Sequence, residues 1–158
     1  MVLIDAEIER LIALEKSVIN PRAKKLEKRG SEQINYEAEA ATGEKFRVYV
    51  RQNMRIPEGF SCGLLYLAPS GEPVTLTRYN GSDHEHANPL DGGGPMPAAC
   101  HIHKATERYM QAGRKAEHFA EATARYSNLE GALRALILDC NIKGLSDNSP
   151  ESQQLPLL

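Results

Sequence analysis

Apolar residues recur at helical spacing near both ends of the chain. Asp5 can cap a segment whose apolar residues share one stripe, which predicts an amphipathic helix reaching Ile19. Near the other end, a capping-box sequence at residues 127–130 introduces a second stripe and therefore a second helix. This stripe consists of Leu129, Leu133, Leu136, Ile137 and Cys140. Because free cysteine behaves as a small hydrophobe, we expect Cys140 in the core.

Between these helices the apolar period changes to two residues. Residues 34–40 and 46–51 alternate around a tight turn at Thr42-Gly43, which predicts a hairpin. Residues 60–68 are apolar almost throughout, as expected of a central strand, and residues 74–79 form another β-rich run. Residues 100–103 indicate a short fifth strand, with His101 and His103 on one face, running into a helix at about residues 104–112.

These elements predict an α+β domain. Its antiparallel sheet of four to five strands should carry the N-terminal and C-terminal helices on one face, because their apolar stripes must be buried somewhere. The single domain is expected to span residues 1–144. Residues 145–158 are polar and include Pro150 and Pro156, so we expect a disordered C-terminal tail.

Composition limits the function only loosely. In 158 residues, 41% hydrophobic and 25% charged residues are ordinary for a globular domain. A formal net charge of −2 provides no global basic field, so contact with nucleic acid would need a local patch. The three cysteines lack a Cys-x-x-Cys spacing, which favours a reducing compartment over a disulfide scaffold. Without an apolar run of signal or spanning length, we expect a cytoplasmic protein with no membrane partner.

Candidate chemistry is concentrated in residues 78–103, where two His-x-His pairs hold four of the five histidines. His84/His86 and His101/His103 can exchange protons near neutrality or bind a metal. With Asp83 and Glu85 they would supply enough ligands for zinc, manganese or iron, but no metalloprotease or cysteine-containing zinc pattern surrounds them. The sequence therefore predicts no cofactor. A structural alternative also stands, in which these residues stabilise turns and begin a helix.

Metal-free acid/base chemistry is the other functional interpretation. RNA cleavage needs a base for the 2′-hydroxyl, a cation for the charged phosphorane and an acid for the leaving oxygen. All four paired histidines are candidate acids and bases, and Tyr79 or Tyr109 is a candidate proton donor or stacking surface. The proposed phosphate contacts are Arg47, Arg51, Arg78, Lys24 and Lys25. The two lysines belong to a basic segment, residues 22–29, that is either a phosphate-contacting patch or a solvated helix end.

The segment Tyr79-Asn80-Gly81-Ser82-Asp83-His84-Glu85-His86, preceded by two hairpins, resembles the TumE-like toxins of bacterial toxin-antitoxin modules. The similarity covers roughly residues 46–86, and Tyr79, Asp83, His84 and His86 match the motif, while Ser82 stands where glycine is usual. Residues 101–109 and the closing helix are similar to a longer family of uncharacterised prokaryotic proteins. The resemblance implies a toxin that acts on RNA or translation and is neutralised by a small DNA-binding antitoxin.

The leading hypothesis is a metal-independent, toxin-like prokaryotic ribonuclease that is compatible with a homodimer. His84 and His86 would act as acid and base, assisted by His101 or His103. One alternative is a non-catalytic binding protein that docks a partner on a strand edge or on its basic turn, and another is a metal-dependent hydrolase. Both histidine pairs in one cleft with an arginine would favour an enzyme, whereas rings on different solvent faces would favour a binding module.

Overall fold

The computed structural model describes residues 2–83, 88, 90 and 98–145 and confirms the mixed α+β class. The helices are α1 (Asp5–Ala13), α2 (Glu107–Gln111) and α3 (Leu129–Asp139). The strands are β1 (Lys16–Val18), β2 (Leu26–Lys28), β3 (Ser31–Glu39), β4 (Lys45–Asn53), β5 (Phe60–Leu67), β6 (Pro73–Asn80), β7 (His101–Lys104), β8 (Ala120–Ala122) and β9 (Ile142–Lys143).

All nine of these strands belong to one sheet, so the expected number of four to five was too small. The order is β8-β7-β6-β5-β4-β3-β1-β9, with β2 paired to β3, and only the β1–β9 pair is parallel. Strands β3 to β7 are the five that the sequence pattern indicates. The four others have two or three residues each, which is too short for an alternating pattern to be recognised.

The first helix is shorter than its apolar stripe suggests. It ends at Ala13, because Leu14 adopts an extended conformation with φ −61° and ψ 134°. The chain then forms β1, which pairs with β3 on one side and β9 on the other. Strand pairing thus replaces the last helical turns, and Ile19, the final residue of the stripe, is exposed.

Helices α1 and α3 bury their apolar sides against one face of the sheet, as expected. Leu11 and Leu136 are fully buried in the same cluster as Val48 and Cys62 of the central strands. Cys140 is also fully buried there, and this burial raises the pKa of its thiol to about 12. Its place in the core is confirmed.

Helix α3 begins one residue later than the capping box implies. Asn128, not Ser127, caps it, since its side chain accepts a hydrogen bond from the Gly131 amide at 2.9 Å. Residues 146–158 of the expected tail lie outside the described residues. Within the described part of the chain, no helix combines the length and apolar character needed to cross a membrane.

Candidate functional site

The face of the sheet opposite α1 and α3 carries two neighbouring rows of side chains. Strand pairing sets the first row, called the Arg51 row, as Gln33, Arg51, Ser61, Asn80 and His101. The second, called the Arg78 row, contains Asn35, Tyr49, Gly63, Arg78 and His103. Adjacent strands lie ~4.8 Å apart and alternate residues share a face, so the two rows form one continuous surface. This surface is the polar face, and it brings four of the sequence candidates together.

A hydrogen-bonded relay crosses three strands of the polar face. Ser61 Oγ donates to Asn80 Oδ1 at 2.9 Å and also lies 2.9 Å from the Tyr49 hydroxyl. Because Ser61 has only one proton to donate, Tyr49 is the donor in the second bond. Burial raises the pKa of Tyr49 to about 12, so the phenol keeps that proton at neutral pH. The relay fixes the Asn80 amide and leaves its Nδ2 without an acceptor among the described residues.

Gly63 allows the Tyr49 ring to lie close against the sheet. A Cβ atom at this position would be 2.7 Å from Tyr49 Cε1 and 2.8 Å from the Thr77 carbonyl oxygen. Neither distance is compatible with a side chain on a rigid sheet. A residue without a side chain is therefore required beneath the ring, and Tyr49 lies flat enough to line the surface.

Arg78 connects His103 to Glu117. Its NH1 atom donates to Glu117 Oε2 at 3.3 Å, and its NH2 atom lies 3.3 Å from His103 Nε2. The Arg78 side chain is 26% exposed and that of Glu117 only 10%, so the ion pair is partly shielded from solvent. Shielding makes such a pair stronger than one on the open surface.

His101 and His103 are buried neighbours on β7. Their ring centroids are 4.9 Å apart in an edge-to-face arrangement. His103 Nδ1 lies 2.9 Å from the Glu117 carbonyl oxygen, and His101 Nδ1 lies 2.8 Å from that of Ala99. Since a carbonyl oxygen only accepts, both Nδ1 atoms are donors, and His103 Nε2 accepts from Arg78. The backbone thus holds both imidazoles in a defined orientation.

An open groove of about 450 Å³ runs over the polar face. Its described lining includes Tyr49, Arg51, Ser61, Arg78 and Asn80, and this described part holds two guanidinium groups and no carboxylate. A smaller pocket of about 150 Å³ adjoins it and shares Arg51, Ser61 and Asn80. Neither His101 nor His103 lines the groove. The groove offers cationic and neutral donors to a ligand, which suits an anion.

Arg47 and Arg51 lie on the same face of β4 but have different surroundings. Arg51 is exposed and has no ion-pair partner within residues 2–83, 88, 90 and 98–145. Arg47 donates from Nε to Glu37 Oε2 at 2.8 Å and from NH2 to Oε1 at 3.3 Å. Arg51 therefore remains a candidate phosphate contact, whereas the guanidinium of Arg47 is occupied by Glu37.

Tyr79 does not belong to the polar face, contrary to its place among the expected catalytic residues. It pairs across the sheet with Cys62 and lies in the core beneath α3, where its hydroxyl donates to Asp139 Oδ2. Arg125 holds the same carboxylate through two hydrogen bonds of 2.7 and 2.9 Å. Burial raises the pKa of the Tyr79 phenol, so it serves as a buried structural donor.

The remaining sequence candidates are separated from the groove or lie outside the described residues. Lys25 is exposed in the connection between β1 and β2, and its Nζ atom lies 3.6 Å from Glu32 Oε1. Glu32 belongs to the face of the sheet that the helices cover. Lys24 is exposed in the same connection. Asp83 lines the smaller pocket. His84 and His86 lie outside the described residues, so their relation to the other histidine pair stays a prediction.

Sequence reasoning missed Ser61, Asn80 and Glu117. The alternation of β5 and β6 is the signal that would have found the first two, because Ser61 and Asn80 are polar residues of the strand face that also carries Arg78. Glu117 has no such signal, since it lies in an irregular connection before β8. Only the tertiary structure brings it to Arg78.

No group of three or more His, Cys, Asp or Glu side chains is arranged to hold a metal ion within the part of the chain that the structure describes. Among the described residues, the carboxylate of Glu117 belongs to the surroundings of His103, and it is bound to Arg78. The metal hypothesis therefore depends on His84, Glu85 and His86, which are not among the described residues.

Comparison with known proteins identifies the family of this domain. The chain belongs to DUF6978, a family of unknown function whose model matches residues 3–142. No curated protein and no solved structure matches the chain. The matched region contains the whole polar face. The resemblance to TumE-like toxins stays a prediction, because the family match does not connect the chain with toxin-antitoxin modules.

Proposed function

We propose that this member of the DUF6978 family binds RNA in the groove of the polar face and cleaves it as a metal-independent, toxin-like ribonuclease. The observation that carries the proposal is the composition of the groove. Arg51 and Arg78 line it, none of its described lining residues is a carboxylate, and the imidazole of His103 lies 3.3 Å from the Arg78 guanidinium. Two guanidinium groups therefore line the groove, and a buried proton-transfer group lies next to one of them.

In this proposal the phosphate is bound first. Arg78 and Arg51 donate to its oxygens, and the Asn80 Nδ2 group supplies a further neutral donor. Tyr49 keeps Asn80 oriented through Ser61 and offers its ring to an unstacked base. Single-stranded RNA suits this surface, because its bases can turn away from the backbone and stack on the phenol.

The proton-transfer step follows from the arrangement of Arg78. A phosphate in the groove competes with His103 and Glu117 for the guanidinium. When Arg78 turns towards the phosphate, His103 Nε2 loses its donor and can take the 2′-hydroxyl proton, while Nδ1 stays bound to the Glu117 carbonyl. His84 and His86 remain the proposed partners for the opposite proton transfer, to the leaving 5′-oxygen.

Cleavage of a defined single-stranded RNA by purified protein in the presence of chelator tests this proposal. His103→Gln and Arg78→Gln should each lower the rate by roughly 100-fold or more, the usual contribution of a positioned acid or base. His84→Ala and His86→Ala should also reduce it. Arg47→Gln serves as the control, because that guanidinium is bound to Glu37 and, unlike Arg78, lines neither the groove nor the smaller pocket. Thermal unfolding checks that each variant is folded.

Two results would overturn the assignment. Undiminished cleavage by both His103→Gln and Arg78→Gln would remove the groove as the catalytic site. Activity that disappears with chelator and returns with added zinc or manganese would support a metal-dependent hydrolase instead.

A non-catalytic RNA-binding module is the second candidate. It is favoured by the burial of His101 and His103, which are only 2% and 3% exposed, with both Nδ1 atoms held by backbone carbonyls. Such histidines often have a structural role. RNA binding that depends on Arg51 and Arg78, without any cleavage, would select this function.

The toxin resemblance adds a proposed partner, a small DNA-binding antitoxin. Expression of the protein alone should stop growth of a bacterial host, and co-expression of a neighbouring gene for such an antitoxin should restore it. Normal growth with a folded, RNA-cleaving protein would remove the toxin role but leave the ribonuclease.

A further inference from the structure

The polar face extends beyond the groove to β2. In the β2–β3 pairing, Lys28 lies opposite Ser31, which in turn lies opposite Asn53 of β4. Residues that are opposite one another across strands share a face. Because Ser31 is two residues from Gln33 of the Arg51 row, the Lys28 side chain is on the polar face too.

A tight turn holds Lys28 at this position. Arg29 and Gly30 have φ values of 52° and 82°, the two positive angles of a two-residue hairpin turn that follows the twist of the strands. The Gly30 carbonyl accepts a hydrogen bond from the Met54 amide at 2.9 Å, which ties the hairpin to the end of β4. Lys28 is therefore part of the sheet, not of the irregular segment before it.

Lys28 and Arg51 are both exposed and have no ion-pair partner among the described residues. Together with Arg78 they form a series of cations across the strand direction. From β6 to β2 the sheet has four inter-strand spacings of ~4.8 Å, so the series covers about 19 Å. Asp83 is a nearby carboxylate among the described residues, and it lines the smaller pocket together with Arg51 and Ser31, the residue opposite Lys28.

We propose that Lys28, Arg51 and Arg78 form a track for the backbone of one extended single-stranded RNA, which crosses the strands of the sheet. This inference rests on the proposed function and defines its substrate class. At the ~3.4 Å per nucleotide of a stacked strand, about 19 Å corresponds to about six nucleotides, and a more extended strand covers the same distance with fewer. A dinucleotide in the groove reaches the two arginines, whereas a longer strand also reaches Lys28.

Each contact in the track should contribute to the salt dependence of binding. For single strands, every neutralised phosphate adds about −0.7 to the slope of log affinity against log salt concentration. Three contacts give a slope of about −2. Removing one should change the slope to about −1.4 and reduce affinity about five-fold at 0.1 M salt, relative to 1 M.

The experiment measures binding without cleavage. A fluorescent 2′-O-methyl octanucleotide, which lacks the attacking hydroxyl, and the matching dinucleotide are titrated with the full-length protein over a range of salt concentrations. The variants are Lys28→Gln and Arg51→Gln, and Arg47→Gln is the matched control on the same face of β4. All three substitutions remove one surface cation, so a change in net charge alone would affect them equally.

We expect Lys28→Gln to make the salt dependence of octanucleotide binding less steep and to reduce the affinity for the octanucleotide, while dinucleotide binding stays unchanged. Arg51→Gln should weaken both ligands, and Arg47→Gln neither. The track is refuted if Lys28→Gln binds the octanucleotide like the wild type, if it weakens both ligands equally, or if a duplex of the same length binds more tightly than the single strand.

The outcomes separate this inference from the proposed ribonuclease. If octanucleotide binding depends on Lys28 and Arg51 but the unmodified RNA is not cleaved, the track is supported and the ribonuclease activity is refuted. If cleavage depends on His103 but Lys28→Gln does not change the salt dependence of binding, the track is refuted and the ribonuclease activity is supported.

Discussion

The ion pair between Arg78 and Glu117 gives a stringent test of the geometry of the site. Arg78 contacts Glu117 through NH1 and His103 through NH2, so its position determines both the charge of the groove and the donor to the imidazole. A double-mutant cycle isolates the pair. Its variants are Arg78→Gln, Glu117→Gln and the combination of both.

The size of the coupling follows from distance and burial. At the 3.3 Å separation of NH1 and Oε2, two unit charges attract by about 5 kcal/mol at an effective dielectric constant of 20. Desolvation offsets much of this energy, because the side chains are only 26% and 10% exposed. We therefore expect a net coupling of about 1–2 kcal/mol between the two residues, intermediate between an exposed and a fully buried pair.

The free energy of unfolding is measured by urea titration for the wild type and the three variants. Arg47 and Glu37 provide the control cycle, since this pair spans neighbouring strands but is 42% and 34% exposed. For the control we expect a coupling of about 0.5 kcal/mol or less. The Arg78–Glu117 arrangement is refuted if its coupling is below about 0.3 kcal/mol or no larger than that of the control pair.

Two further results should follow from other buried polar groups. Lys16→Met should lower the free energy of unfolding by about 2 kcal/mol. The reason is that Nζ of this fully buried lysine donates to the carbonyl oxygens of Ile12, Leu14 and Cys140. An unchanged urea midpoint would contradict this expectation. Between pH 10 and 12 the free energy of unfolding of the wild type should fall relative to that of the Tyr49→Phe variant. The reason is that the pKa of the Tyr49 phenol is 10.0 in the unfolded protein and about 12 in the folded protein. Its contribution is complete below pH 10, and a stability gap that stays constant up to pH 12 in urea titrations would be inconsistent with a buried phenol.

The sequence pattern was sufficient to predict the central strands and to identify the face of the sheet that the helices cover. Alternation in β4 correctly separated Arg47, Tyr49 and Arg51 from the buried Val48. It was insufficient for β1, β2, β8 and β9, because strands of two or three residues are defined by their partners and not by a period. The length of α1 was wrong for the same reason, since pairing of β1 with β3 and β9 competes with the helix.

The candidate site was predicted in part. Arg51, Arg78, His101 and His103 share a face because of the registers of four strand pairs, which no local pattern specifies. One error was avoidable. Consecutive residues of a strand point to opposite faces, so Arg78 and Tyr79 could not both line the groove.

Chemical-shift mapping determines whether RNA binds to the polar face. Titration of the ¹⁵N-labelled protein with the 2′-O-methyl octanucleotide should shift the amide signals of Arg51, Ser61 and Arg78 and the side-chain amide of Asn80. Signals from α1 and α3, on the other side of the sheet, should change little. Shifts concentrated on those helices, with the polar face unaffected at saturating oligonucleotide, would show that RNA does not bind to the polar face.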